Sequence, residues 1–197
     1  MKVIGLTGGI GSGKSTASEL LSQLGAKVLD ADKVGHQCYQ PDTEAWQDVV
    51  AAFGEEIVAP DRSIDRKKLG AIVFGDPDSL ARLNGIMHPR MKEMMADMIE
   101  QYRQDGVEVV VLDAAILLEA NWTHLVDAIW ITVASESTVI KRVKERTGLP
   151  EEQIRSRIRS QMTIEERTER ADLVINNDGS LDELKVKVEE LWEGLRV

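Results

Sequence analysis

At 197 residues the chain is long enough for one good hydrophobic core and a small satellite. Its composition, 43% hydrophobic and 29% charged, is that of an ordinary folded domain, and no apolar run approaches the length of a membrane span. A formal net charge of -10 sets the average field against nucleic acid and acidic membrane surfaces, while Cys38, the single cysteine, excludes an internal disulfide and fits a reducing cytoplasm. With a functional motif inside the first fifteen residues, no cleaved signal peptide is expected.

The apolar run Val3–Thr7 reads as a short buried strand. It leads directly into Gly8-Gly9-Ile10-Gly11-Ser12-Gly13-Lys14-Ser15, a complete G-x-x-x-x-G-K-[ST] loop, and a helix follows from Thr16. In such a loop the glycines let backbone N–H groups turn inward round a polyphosphate, and the helix N-terminus adds partial positive charge. Lys14 is expected to reach the β- and γ-phosphates and the Ser15 hydroxyl to ligate Mg²⁺. Gly9, Gly11, Ser12, Gly13, Lys14, Ser15 and Thr16 are therefore candidate ATP-binding residues. A chance glycine turn ending in Lys-Ser is the bland alternative, and the strand before it and the helix after it argue against that.

The first helix carries Ala17, Leu20, Leu21 and Leu24 on one stripe and stops at Gly25. A second strand, Lys27–Asp30, ends in Leu29-Asp30-Ala31-Asp32, with a helix expected near Lys33. The interval 34–106 reads as helices over Asp42–Phe53, Asp65–Phe74 and Pro77–Arg103. The last of these is rich in methionine at three- and four-residue spacings, which favours core packing. So much helix exceeds one crossover, and the surplus is expected to form an acceptor-side subdomain. Strands over Glu108–Asp113, Ala128–Val133 and Leu173–Asn176 follow, with a second helical insert, Glu136–Arg170, before the last. The final helix opens on Ser180-x-x-Glu183, a capping box, with Leu181, Leu184, Val188, Leu191 and Leu195 as its apolar side. The expectation is an α/β P-loop NTPase fold of three layers with a five-stranded parallel sheet. One domain spans 1–197: a core of about 1–33, 107–135 and 171–197, an insert of about 34–106 and a lid of about 136–170.

A phosphate-binding loop alone does not tell a hydrolase from a kinase. A GTPase would need an Asn-Lys-x-Asp motif, which the chain lacks. A small-molecule kinase needs an acid near the acceptor, cations that follow the developing charge, and a lid. Asp32 emerges just beyond a strand's C-terminal end, where ligands bind in open α/β sheets, and a general base there is worth roughly 10²–10⁴ in rate. A helix-capping acid is the alternative, and Asp30 suits that role better. Arg142 and Arg146 share one helix face at i, i+4, as do Arg157 and Gln161 on the next helix. A helical hairpin turning at Thr147-Gly148-Leu149 with cations inside is what a lid requires. Arg155 and Arg159 read as ordinary surface arginines.

Taken together, these residues resemble the dephospho-coenzyme A kinase family nearly end to end. The likeness rests on Ile4–Ser15, Leu29-Asp-Ala-Asp32, His88-Pro89, Leu112-Asp113 through Leu117-Leu118-x-Glu119, Arg142-x-x-x-Arg146, Arg157-x-x-x-Gln161, and Ala171-Asp172 through Asn176-Asn177-x-Gly179. The resemblance implies transfer of the ATP γ-phosphoryl to the ribose 3′-hydroxyl of dephospho-CoA with Mg²⁺. It places the base on Asp32, the phosphate-handling lid arginines on Arg142 and Arg146, with Arg142 catalytic beside Asp32 and Lys14, and the adenine contact on the loop Asn176–Gly179, hence Asn177. His88, Leu117, Glu119, Arg157 and Gln161 fall on the acceptor side, and Asp113 suits a Walker-B role toward Mg²⁺. Where the family often reads Asp-x-Pro-Leu-Leu, this chain has Asp113-Ala114-Ala115-Ile116-Leu117-Leu118, so the backbone restraint of the proline is gone. The expected partner is dephospho-CoA alone, with no nucleic acid, membrane or obligate protein. Another small-molecule P-loop kinase, acting on a nucleoside or its monophosphate, is the nearer rival. A nucleotide-sensing ATPase without an acceptor is the more distant one.

Overall fold

The five apolar runs are five strands in the computed structural model, which describes residues 1–195: β1 (Lys2–Gly8), β2 (Lys27–Asp30), β3 (Val109–Asp113), β4 (Ala128–Val133) and β5 (Leu173–Asn176). They lie in one sheet in the order β2-β3-β1-β4-β5. The sheet is parallel, with Lys2 beside Val109, Ile4 beside Ala128 and Trp130 beside Leu173. Central β1 is buried from Val3 onward, so it has no polar alternation to show. Two carboxylates lock the register where strands begin. The Val3 N–H donates to Asp127 Oδ2 at 2.7 Å while Asp127 N–H donates to the Val3 carbonyl at 2.8 Å. Asp172 does the same for Ile129, at 2.7 and 2.9 Å, giving the Ala171-Asp172 motif a structural function.

Nine α-helices are described: α1 (Lys14–Gln23), α2 (Ala31–Cys38), α3 (Glu44–Phe53), α4 (Arg66–Val73), α5 (Pro77–Gln104), α6 (Glu136–Thr147), α7 (Glu151–Arg159), α8 (Ile164–Thr168) and α9 (Leu181–Leu195). They fall in two compact units, one formed by Met1–Leu29 with the chain from Tyr102 onward, the other by Asp30–Gln101.

In the first unit, α1 and α9 pack with the sheet around Ile4, Leu6, Ala17, Leu21, Trp130, Ile175, Leu184, Val188 and Trp192. The expected stripe of α9 needs one correction. Leu181 is 62% exposed, and Trp192, at the same helical spacing from Val188, fills the core instead. A second cluster joins α6 and α7 through Val139, Ile140, Val143 and Ile154, and Ile10 of the glycine loop packs against it. Beyond the two expected lid helices there is a third, α8, opened by a capping box between Thr163 and Glu166. Thr163 N–H donates to Glu166 Oε2 at 2.8 Å, and Glu166 N–H donates to Thr163 Oγ1 at 3.2 Å.

In the second unit, Asp30 caps α2, its Oδ1 accepting the N–H groups of Asp32 and Lys33 at 3.0 and 3.2 Å. Met87, Met91 and Met95 are buried on α5, and Met91 Cε closes on Gly35 of α2. Pro89 lies inside α5 and breaks its bond ladder without ending it. Arg90, the next residue, donates through Nη1 to the Ile86 carbonyl at 3.0 Å and pairs with Asp48 of α3. Cys38 is buried, and that burial pushes its thiol up, so it stays neutral and structural.

Candidate active site

The glycine loop joins β1 to α1 and is held from behind. Ser12 is 3% exposed, and its hydroxyl shares a hydrogen bond of 2.8 Å with Thr132 Oγ1 on β4. Gly8 must be glycine here, since a Cβ would stand 2.6 Å from Ser12 Oγ and overlap Thr132. Gly13 adopts the left-handed region, φ +96°, and caps α1. Asn177, just past β5, donates through Nδ2 to the Ser12 carbonyl at 2.9 Å.

α1 has no side-chain cap and no acid in its first turn. By contrast α2, α3, α4, α6 and α8 each have a side chain that accepts their first N–H groups. Uncapped N–H groups behind a glycine loop form an anion site. Lys14 enters it from the first turn and pairs with Asp113 at the end of β3, both largely shielded. Ser15 is exposed beside it and Thr16 half-buried. The residues past β3 are tied to β1. Ala114 N–H donates to the Leu6 carbonyl at 3.0 Å, and Thr7 Oγ1 to the Ala115 carbonyl at 3.2 Å.

From the lid side, Gln161 Oε1 accepts the Ile10 N–H at 2.9 Å, at the apex of the loop. Arg142 does not point outward as a free cation. Its Nη1 donates to the Asn177 carbonyl at 2.7 Å and its Nη2 to the Gly179 carbonyl at 3.1 Å. Arg146, one turn on, is exposed, as is Arg157. Asn177 is itself 6% exposed, so its amide serves the loop as a strut. Leu117 is wholly buried, its Cδ2 against Gly5, so its side chain is part of the core. Glu119 pairs at 2.6 Å with Arg167, a buried arginine that sequence reasoning passes over as surface charge.

Asp32 and His88 belong to the second unit. Asp32 is exposed in the first turn of α2, with Asp30 rather than itself capping that helix. His88 is half-buried on α5, and burial pushes its pKa down, which keeps its imidazole neutral at pH 7.

A parallel sheet with a G-x-x-x-x-G-K-S loop after its central strand and an uncapped helix behind it is the architecture of a P-loop kinase. The dephospho-CoA kinase (CoaE) family matches residues 2–183, and the chain belongs to that family. It is 43% identical to the dephospho-CoA kinase of Geobacter sulfurreducens over 98% of both chains. It is 42% identical to that of Dehalococcoides mccartyi, over 97% of this chain and 96% of the relative. Among solved structures, the dephospho-CoA kinase of Campylobacter jejuni superposes with a TM-score of 0.73 at 26% identity, covering 98% of this chain and 99% of that one.

Proposed function

We propose that the protein transfers the γ-phosphoryl group of ATP to the ribose 3′-hydroxyl of dephospho-CoA, releasing CoA and ADP. The observation that carries this is the uncapped α1 behind the glycine loop with Lys14 at its mouth, in a chain of this family. The backbone of Gly9, Gly11, Ser12 and Gly13 with Lys14 and Thr16 holds the triphosphate, Lys14 leaving Asp113 for the phosphate oxygens. Ser15 and Asp113 are hard oxygen donors set at the loop, so they fit Mg²⁺, which takes most of its ligands from phosphates and water. Bound there, it neutralises phosphate charge.

Asp32 receives the proton as the 3′-oxygen bonds to the γ-phosphorus and the bond to the bridging β,γ-oxygen breaks. Its exposure and freedom from capping duty support that role. The in-plane grip of Arg142 on two carbonyls supports a different task from a finger on the γ-phosphoryl. It fixes the loop 177–179 and leaves the guanidinium faces to stack on the purine. Arg146, exposed on the same face of α6, then follows the charge of the transferred group. Segments 34–106 and 136–170 act as acceptor-side insert and lid, with His88, Glu119, Arg157 and Gln161 near the acceptor path. The free, buried Cys38 agrees with a reducing, cytoplasmic setting.

Coupled ADP release from Mg-ATP, with and without dephospho-CoA, tests the proposal. Acceptor-dependent release with CoA identified by mass supports it. Turnover with AMP, CMP, dTMP or adenosine and none with dephospho-CoA would sink it.

A further inference from the structure

Among the described residues Arg167 is the only charged side chain that is buried, at 3% exposure. Its Nη2 donates to Glu119 Oε1 at 2.6 Å and its Nε to the Met162 carbonyl at 3.3 Å. Its Nη1 is buried without a hydrogen-bond partner. Stability does not explain such a residue. Desolvating a guanidinium and leaving one nitrogen unpaired is costly, and apolar groups in place of a buried ion pair are often neutral or stabilising.

What Arg167 touches gives the better account. The carbonyl it holds is that of Met162, and the residue before it, Gln161, has its amide oxygen on the Ile10 N–H of the phosphate loop. The carboxylate it holds, Glu119, lies on the segment that begins at Asp113, the partner of Lys14. Its own backbone is fixed by the Thr163–Glu166 box, its N–H donating to the Thr163 carbonyl at 3.1 Å. Arg167 thus ties the chain carrying Gln161 to the chain following β3.

We propose that Arg167 is a positioning residue for phosphoryl transfer: anchored on Glu119, it holds the 161–162 peptide so that Gln161 sits on the Ile10 N–H at the loop apex. The inference rests on the kinase reading of the loop. A displaced group at a reacting phosphate costs on the order of 10- to 100-fold in rate.

A double-mutant cycle tests it, with R167M, Q161A and the pair compared in kcat, in KM for ATP and in amide hydrogen exchange at Ile10. R167M and Q161A should each lower kcat on the order of 10- to 100-fold. The pair should be no slower than either single variant, and Ile10 exchange in R167M should rise to the Q161A level. Losses that multiply, an unaltered kcat in either single variant, or Ile10 protection retained in R167M would overturn the proposal. If R167M fails to fold, E119Q/R167M removes both charges together and enters the cycle in its place. Exchange at Ile10 needs no substrate, so it decides the inference even if the unmodified protein shows no acceptor-dependent turnover, a result that would instead refute the reaction assigned above.

Discussion

The contact between Gly13 and Asn177 makes a quantitative claim about the phosphate loop. An alanine at Gly13, where φ is +96°, costs about 1–2 kcal/mol in backbone strain. Its Cβ would also overlap Asn177 Nδ2 and stand 3.1 Å from Cγ. The amide must then swing away and abandon its 2.9 Å bond to the buried Ser12 carbonyl, a loss of about 1–3 kcal/mol. Gly13→Ala should therefore destabilise by about 2–5 kcal/mol and Asn177→Ala by about 1–3 kcal/mol. The two share one hydrogen bond, so the double variant should cost about 2–5 kcal/mol instead of the additive sum of about 3–8 kcal/mol. Urea unfolding of the substrate-free protein measures this, with Trp130 and Trp192 of the core as fluorescent reporters. Additivity within about 0.5 kcal/mol would refute the shared bond.

Asp32→Asn should lower turnover roughly 10²–10⁴-fold while ATP titration stays near normal, and near-normal turnover would remove the base role. Arg146→Ala should reduce kcat by roughly 10³-fold or more, whereas Arg142→Ala should chiefly raise KM for ATP; steady-state kinetics showing the reverse split would exchange their roles. Asp113→Asn should shift the Mg²⁺ dependence of turnover to concentrations on the order of 10- to 100-fold higher, and an unmoved Mg²⁺ titration would exclude it as a ligand. Asp178 accepts the Ser135 N–H at 2.7 Å, and hydrogen bonds from Ser135 hold its carboxyl at about 2, below the ordinary 3.8. The folded value is the lower one, so its stabilisation is full above the unfolded value and lost as pH falls through about 4 toward about 2. The stability gap between wild type and Asp178→Asn should narrow over that window, and urea midpoints that keep a constant gap would contradict it.

The strands were legible almost to the residue, because a parallel strand covered on both faces is a continuous run of Val, Ile and Leu with punctuation at either end. The stripe of α9 was legible in direction but not in membership. Leu181 and Trp192 both satisfy helical spacing, and only packing excludes the first. α8 was announced by Thr163-x-x-Glu166, yet five residues are too few for any periodicity to appear. For Arg142 the spacing to Arg146 predicts a shared face, and they share one helix. The acceptors of Arg142 are backbone carbonyls 35 and 37 residues away, and carbonyls leave no trace in a sequence. Arg167 was the least legible. It sits among interleaved charges that read as solvated surface, and its partner Glu119 is 48 residues away.

The four side chains that hold the loop are of two kinds. Thr132 and Asn177 grip Ser12 through buried bonds, and Gln161 accepts the Ile10 N–H, so these three are bonded to the loop itself. Asp113 instead occupies Lys14, the cation that a triphosphate needs in the reading proposed above. In the proposed reading, binding is an exchange of acceptors on a cation already in place. The exchange also has a thermodynamic consequence. If Asp113 serves Mg²⁺ as proposed, it cannot do so while it holds Lys14, and it is released once the phosphates take up Lys14. Phosphate and cation sites that share a residue in this way are coupled, each raising the affinity of the other by the same factor. A loop built so favours the nucleotide and its cation together over either alone.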